Sequence, residues 1–319
     1  MEILNTVGVF LELGFIFSIV AMGYYVSYHI LDFPDITVEG TFLTGAVIFG
    51  LFVNRGLNPW LGLFVGFFCG CLFGAVTGVL HVVLKIRPLL CGILTSTALI
   101  TINLIATSAG MSGDFTGETG TSISFGRTVD TLHDCFFGEL IPSKVSNFGI
   151  RDLCIFFVVA LVCKLLLDFY FKTKNGLLLR AAGNNEQYVK MLGVNPGIQK
   201  IIGLAIGNGY AAVAGALYTH ISGNVNQSMG VGMIVIGLAS LIIGISLFKN
   251  VRFMKPTTMV IIGSVIYQAC LTVVQKLGIP SSYNKLIMAL MFTLALVFSG
   301  KAKKGGAANV NSKWYIYLL

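Results

Sequence analysis

Long apolar runs separated by short polar stretches dominate this chain. Runs at residues 5–30, 61–84, 88–108, 153–171, 201–221, 233–248, 257–274 and 286–299 read as bilayer helices, for which a full crossing takes about 20 residues. One further run, 41–53, follows the polar stretch DFPDITVEG and is too short for a straight crossing. The segment near residues 32–53 therefore reads as a broken helix, with carboxylates and polar backbone near membrane depth. Such a break is tolerated only against protein or a water-filled path. An ordinary interfacial loop fits the same residues. The fold class expected is an all-α polytopic membrane protein with roughly 8–10 transmembrane helices, all in one domain over residues 1–319.

Composition agrees with the pattern: 55% of residues are hydrophobic and 11% charged, where a soluble domain carries about 25% charged residues. The opening MEILNTVGVF has no basic n-region or cleavage site, so no removable signal peptide is expected. Up to Phe171 there are 7 basic and 12 acidic residues; from Lys172 onward there are 14 basic and 1 acidic. The bases sit in short loops between spans, which is topology control and not a nucleic-acid surface. The clusters around Lys85, Arg180, Arg252 and Lys301 fall on one side if the spans alternate, and that side is expected to be cytoplasmic. The loop 110–152, with Asp114, Glu118, Asp130, Asp134 and Glu139 against Arg127, Lys144 and Arg151, falls on the other. Strict alternation puts the amino terminus outside, unless the short run at 41–53 is re-entrant. A basic cytoplasmic tail is expected at 301–319.

One span carries Gly62, Gly66, Gly70, Gly74 and Gly78, each four residues apart. Four residues is slightly more than one helical turn, so all five share one slowly drifting face. That face is expected to be a close helix–helix seam.

The longest polar interruption in the second half is LRAAGNNEQYVKMLGVNPG, residues 179–197. It is too rich in charge and amide to span lipid. Asn184 or Asn185 can cap a short helix from Glu186 to Leu192, with Gly193 as its stop and Pro196 as a second break. Val189, Met191 and Leu192 then form a small apolar patch beside Lys190. A solvated connector and a docking helix for a soluble partner both fit.

Chemistry of other kinds finds little support. His29, His81, His133 and His220 are scattered, with no HExxH spacing, and no GxxxxGK[ST] loop occurs. Six of the seven cysteines, Cys69, Cys71, Cys91, Cys154, Cys163 and Cys270, lie in apolar runs; Cys135 is in a polar loop. Their spacing suits packing, not a metal site or a disulfide framework. Asp32 and Asp35 are close enough in sequence to share a divalent ion, but membrane prenyl-transferring enzymes use two acidic pairs and one is present. No catalytic residue, metal or cofactor is expected. The candidates for lining a solute path are Asp32, Asp35 and Glu39 at the break, with the intramembrane amides Asn103 and Asn208. Together with Glu12, the three acids also leave open a secondary transporter or channel, which usually needs intramembrane ionisable groups.

These stretches resemble a known family. LRAAGNNEQYVKMLGVNPG, the small-residue span ending AGALYTH, the glycine-rich link and GLASLIIG are similar to bacterial ABC importer permeases of the branched-chain amino acid and ribose branch. Arg180, Ala181, Gly183 and Asn185 match its arginine-alanine-x-glycine-x-asparagine segment. DFPDITVEGTFLTGA looks like a sub-branch paired with lipoprotein-type binding proteins and often linked to amino acids, aromatic ones among them. The likeness runs from about residue 23 to 297 and is strongest over 180–244. It implies a multi-pass permease of the bacterial plasma membrane, a homodimer fed by an extracytoplasmic binding lipoprotein and driven by separate ATPase subunits. It also implies that 175–200 is the coupling segment, with Arg180, Gly183, Asn185, Val189, Lys190, Met191 and Leu192 at the ATPase contact.

Overall fold

The computed structural model describes residues 2–112, 122–124, 150–249, 251, 253–276 and 283–304. Most of the loop 110–152 and the tail beyond Lys304, with Cys135 and His133, lie outside the described residues. The helices are α1 (Glu2–Tyr24), α2 (Thr37–Asn54), α3 (Pro59–Val82), α4 (Pro88–Ser112), α5 (Ile150–Tyr170), α6 (Lys174–Asn184), α7 (Glu186–Met191), α8 (Pro196–Ser222), α9 (Met233–Phe248), α10 (Pro256–Lys276) and α11 (Asn284–Lys304). Two three-residue strands, β1 (Ser122–Ser124) and β2 (Asn224–Asn226), pair antiparallel with Ser122 opposite Asn226. Among the described residues, eight helical segments are long and apolar enough to cross a membrane, and α11 adds a shorter apolar stretch.

α2 and α8 form the centre. Within their apolar windows 72% of residues are buried, against 28% in α4 and α5, which lie at the periphery. α3 packs along α8, and α2 packs against both. α1 joins this group to α9 and α10. All five α3 glycines are buried, but they meet two partners. Gly62 faces Phe52 and Phe49, and Gly66 faces Gly45, all on α2; Gly70, Gly74 and Gly78 lie against the α8 backbone. Glycines of α8 return the contact, with Gly207 against Gly23 of α1 and Gly215 against the Phe42 carbonyl of α2. Without Cβ atoms the backbones come close enough for dispersion to hold the centre where lipid supplies no hydrophobic drive.

The ends of α1, α3 and α5 and the starts of α6, α8 and α10 meet at one end of the bundle. Gly183 touches the Ile30 carbonyl, Gly197 touches Val82, and Lys255 and Thr257 bond to Asp168. This is the basic end. Asp168 accepts from Lys164 (3.4 Å), Lys255 (3.1 Å) and Thr257 (2.7 Å), so one carboxylate ties α5 to α10.

The largest helix departures from the sequence expectation are at α2, α8 and α6. The break in the first helix is confined to residues 31–36, because α2 starts at Thr37 inside the polar stretch. Asp35 makes this possible: its Oδ1 accepts from the Thr37 backbone N–H at 2.9 Å, stabilising a free amide at the new helix start. The 18-residue α2 is then about 27 Å long, enough for a crossing. α8 begins at Pro196, not five residues later. Asn195 caps it through the Gly197 N–H (2.9 Å), and a proline is tolerated in the first turn. α6 is an added helix, capped by Thr173, in a stretch whose charges hid it.

The link after α8 is the largest surprise. Val225 of β2 packs on Leu43, Ala46 and Val47 of α2, and Gly230 lies against the Glu39 carbonyl. The chain therefore runs back into the bundle along α2 before α9 begins. A 3-10 turn (Gln227–Gly230) and Gly232 at φ +97° make the reversal. That conformation favours glycine.

Candidate translocation site and coupling segment

The starts of α2 and α9 lie inside the bundle, at buried Thr37 and Met233, and a buried polar group surrounds the first. Asn208 of α8 donates from Nδ2 to Asp35 Oδ2 at 2.6 Å and to the Leu204 carbonyl at 2.9 Å. Its Oδ1 accepts from Thr41 Oγ1 at 2.9 Å. The amide orientation follows from its partners, since a carboxylate can only accept from the NH2. Tyr24 Oη reaches the Asp35 carbonyl at 3.4 Å. On the other side Thr37, Thr77 and Thr95 form a hydroxyl chain across α2, α3 and α4, at 2.9 and 3.0 Å. Asn103 of α4 donates to the Gly40 carbonyl at 3.1 Å. Asp35, Thr37, Thr41, Thr77, Thr95, Asn103 and Asn208 are all buried. Buried polar groups in a low-dielectric interior need partners of this kind.

Glu39 stands apart from that sealed group. One turn along α2, it is only partly buried. Its Oε1 accepts from the Gly232 backbone N–H at 2.8 Å, at the start of α9. A carboxylate at a helix start is favoured by the free N–H groups there.

Of the five sequence candidates, the structure brings Asp35 and Asn208 into direct contact, places Glu39 one turn further along α2, and has Asn103 reach the Gly40 carbonyl from α4. Asp32 is separate: it is exposed, in the left-handed region at φ +53°, and takes no part in this network. The two aspartates therefore do not act as one pair. The hydroxyls of Thr37, Thr41, Thr77 and Thr95, and the Gly232 amide, escaped sequence reasoning. Threonines in an apolar helix commonly bond their own backbone, as Thr95 also does to Cys91, so nothing marked them.

The coupling segment is α6, α7 and the turn to α8. Asn185 is the cap of α7, its Oδ1 accepting from Gln187 N–H (3.0 Å) and Tyr188 N–H (3.2 Å). Gly193 at φ +73° ends the turn, and Val194 N–H returns to the Val189 carbonyl. Arg180 lies over the Phe171 ring at 4.5 Å, a cation–π contact that fixes α6 on α5. Lys200 bonds to Glu186 and holds that carboxyl below the usual range. The folded value is the lower one, so this contribution is present at neutral pH and fades as pH falls through it. Glu186 is nearly half exposed, so the contribution is small.

One sequence expectation needs correction here. Val189 is fully buried and anchors α7 from beneath; it is not part of the exposed patch. The exposed apolar residues are Met191 at 81%, with Tyr188 and Leu192 beside it. In so short a helix, residues 189 and 191 are about 200° apart, so one faces in when the other faces out.

Comparison with known proteins agrees with this architecture. Residues 7–296 match the family model described as branched-chain amino acid transport system / permease component. The chain is 37% identical over 276 residues to a tyrosine transport system permease protein of Clostridioides difficile, covering 86% of this chain and 85% of that one. It is 30% identical over 49% of each chain to a nucleoside ABC transporter permease protein of Lactococcus lactis. It is 28% identical to an autoinducer 2 import system permease protein of Salmonella choleraesuis, over 50% of this chain and 44% of that one. No solved structure matches it. The chain is a non-enzymatic, multi-pass subunit of the bacterial inner membrane, of the ABC transporter kind that moves small solutes. With its apolar helices, its broken first helix and a family match over nearly its whole length, the chain belongs to the branched-chain amino acid transport system permease family.

Proposed function

We propose that this protein is the pore-forming subunit of an importer for an amino acid or a closely related compound, working as a homodimer. ATPase subunits dock at the basic end, which is the cytoplasmic face, and a binding lipoprotein delivers solute at the other. The positive-inside bias supports the sidedness. The likeness to a tyrosine permease supports the solute class. The observation that carries the ATPase role is α7: a capped, solvated helix whose exposed tip is apolar, with Met191 81% exposed. In this reading Tyr188, Met191 and Leu192 enter a cleft on the ATPase, flanked by Arg180 and Lys190, while Asn185 and Val189 hold the helix in place and Gly183 seats α6 against the end of α1.

Met191→Asp tests this. It places a charge in an apolar contact, which is costly unless paired, yet Met191 carries none of the core. Folding should be kept, while ATPase co-purification or stimulation of hydrolysis by loaded binding protein should drop by about tenfold or more. Intact association and stimulation would leave α7 as a mere connector. Uptake that persists without the ATPase would instead favour an ion-coupled carrier.

The proposed path runs past the start of α2, by Glu39 and the group formed by Asp35, Asn103 and Asn208, with Asp32 near its basic end. Single cysteines at positions 36–41, in a background without native cysteines, should react with water-soluble maleimide at Ile36 and Glu39 only. Thr37, Val38, Gly40 and Thr41 are buried. Protection at both Ile36 and Glu39, with and without ATP, would mark a packed loop.

A further inference from the structure

We infer that Gly183 and the π-helical end of α1 form the joint through which movement of α7 reaches the break that holds Asp35. The inference rests on the coupling reading of α7 and adds the route beyond it. α1 does not stop at Tyr24. It continues as a π-helix, Tyr25–Ile30, and the Leu31 N–H reaches back five residues to the Val26 carbonyl at 3.2 Å. Such wide turns are rare and gather at functional sites. This one is gripped at both ends, by Phe171 at the close of α5 and by Gly183 of α6.

At its near end Tyr25 packs edge-on to Phe171 at 5.9 Å, and Arg180 lies on the same Phe171 ring. At its far end Gly183 of α6 lies directly on the Ile30 carbonyl oxygen, so closely that a Cβ there would overlap it. The next residue, Leu31, is buried, and with Leu179 of α6 it fills the space beside Gly203 of α8. Beyond Leu31 the chain turns through Asp32 in the left-handed region, and Asp35 then bonds to Asn208. Gly183 is two residues before the α7 cap, Asn185. A displacement of α7 is therefore delivered to the Ile30 carbonyl with no side chain between to absorb it. The break receives it, because residues 32–36 belong to no regular helix. Gly183 is thus a positioning residue: it touches neither ATPase nor solute, and transmits between them.

The test is Gly183→Ala in the transporter reconstituted with its ATPase subunits and binding protein. A reporter cysteine replaces the exposed Asp32 in a background without native cysteines. ATPase co-purification should be unchanged. Uptake should fall about tenfold, the size expected when a residue on a coupling route is altered. The ATP-dependent change in maleimide labelling of the reporter, present with Gly183, should disappear. Leu31→Ala, which removes volume and adds none, guards against a folding artefact; it should reduce uptake several-fold with the ATPase still bound. Normal uptake and retained ATP-dependent labelling in Gly183→Ala would overturn the joint, as would loss of ATPase binding, which would place Gly183 in the docking surface. Failure of the coupling reading shows elsewhere, as ATPase association that survives Met191→Asp.

Discussion

Replacing Gly74 by leucine should abolish recovery of folded protein. A Cβ at this position would fall 2.7 Å from Asn208 Cβ and 2.9 Å from Ala205 Cα, and closer still to the Leu204 carbonyl oxygen. Two of these are backbone atoms, which cannot rotate away. α8 cannot retreat either, because Gly207 meets Gly23 of α1 and Gly215 meets Phe42 of α2 on its other sides. Overpacking by a methylene or two costs about 1–3 kcal/mol. Four carbons forced against backbone cost more, against a total stability of only about 5–15 kcal/mol. Gly66→Ala is the control. Its nearest neighbour, Gly45 Cα, is 3.6 Å from the new Cβ, which is ordinary contact. Detergent extracts run on size exclusion should show Gly66→Ala at normal yield and no monodisperse peak for Gly74→Leu. A normal Gly74→Leu peak would mean that α3 and α8 are not packed backbone to backbone.

The second large effect is expected at Asn208. Asn208→Leu keeps the branched shape, with some added bulk, but removes the donor to Asp35 Oδ2 and the acceptor for Thr41. Thr41 retains the Thr37 and Val38 carbonyls, so its loss is minor. Asp35 keeps its Thr37 contacts and loses its Asn208 donor in a buried site. Stripping one partner from a buried hydrogen-bonded group costs about 1–3 kcal/mol, much of it desolvation that is no longer offset. The double variant with Asp35→Ala should therefore cost less than the two single changes added together. Thermal unfolding in one detergent measures all four proteins. Strict additivity would mean that the two side chains do not depend on each other.

Apolar run length located most of the bundle because lipid imposes it: α9 was legible to the residue, and α3, α4, α5 and α10 to within a few. The four-residue glycine repeat was legible for a similar reason, since helical geometry alone puts the five on one face. What stayed hidden depends on contacts distant in sequence. Nothing near Asp35 announces Asn208, so the start of α2 inside DFPDITVEG could not be inferred. The inward course of the link after α8 is set by packing of Val225 and Gly230 on α2, and its only local sign is the glycine content. Val189 was misplaced because a hydrophobic residue on a short polar helix can face either the body or a partner. Its burial is decided by what lies under α7.

The β1–β2 pair has a bearing on the order of assembly. Its strands lie on opposite sides of α5, α6, α7 and α8 in the chain, and each is only three residues long. So short a ribbon is not stable by itself. Closing so long a loop is entropically unfavourable until the intervening helices have already brought the ends together. Pairing must then wait for the bundle. β2 leads directly into the turn that meets Glu39, so that turn takes its final place late in folding, after the helices it lies between.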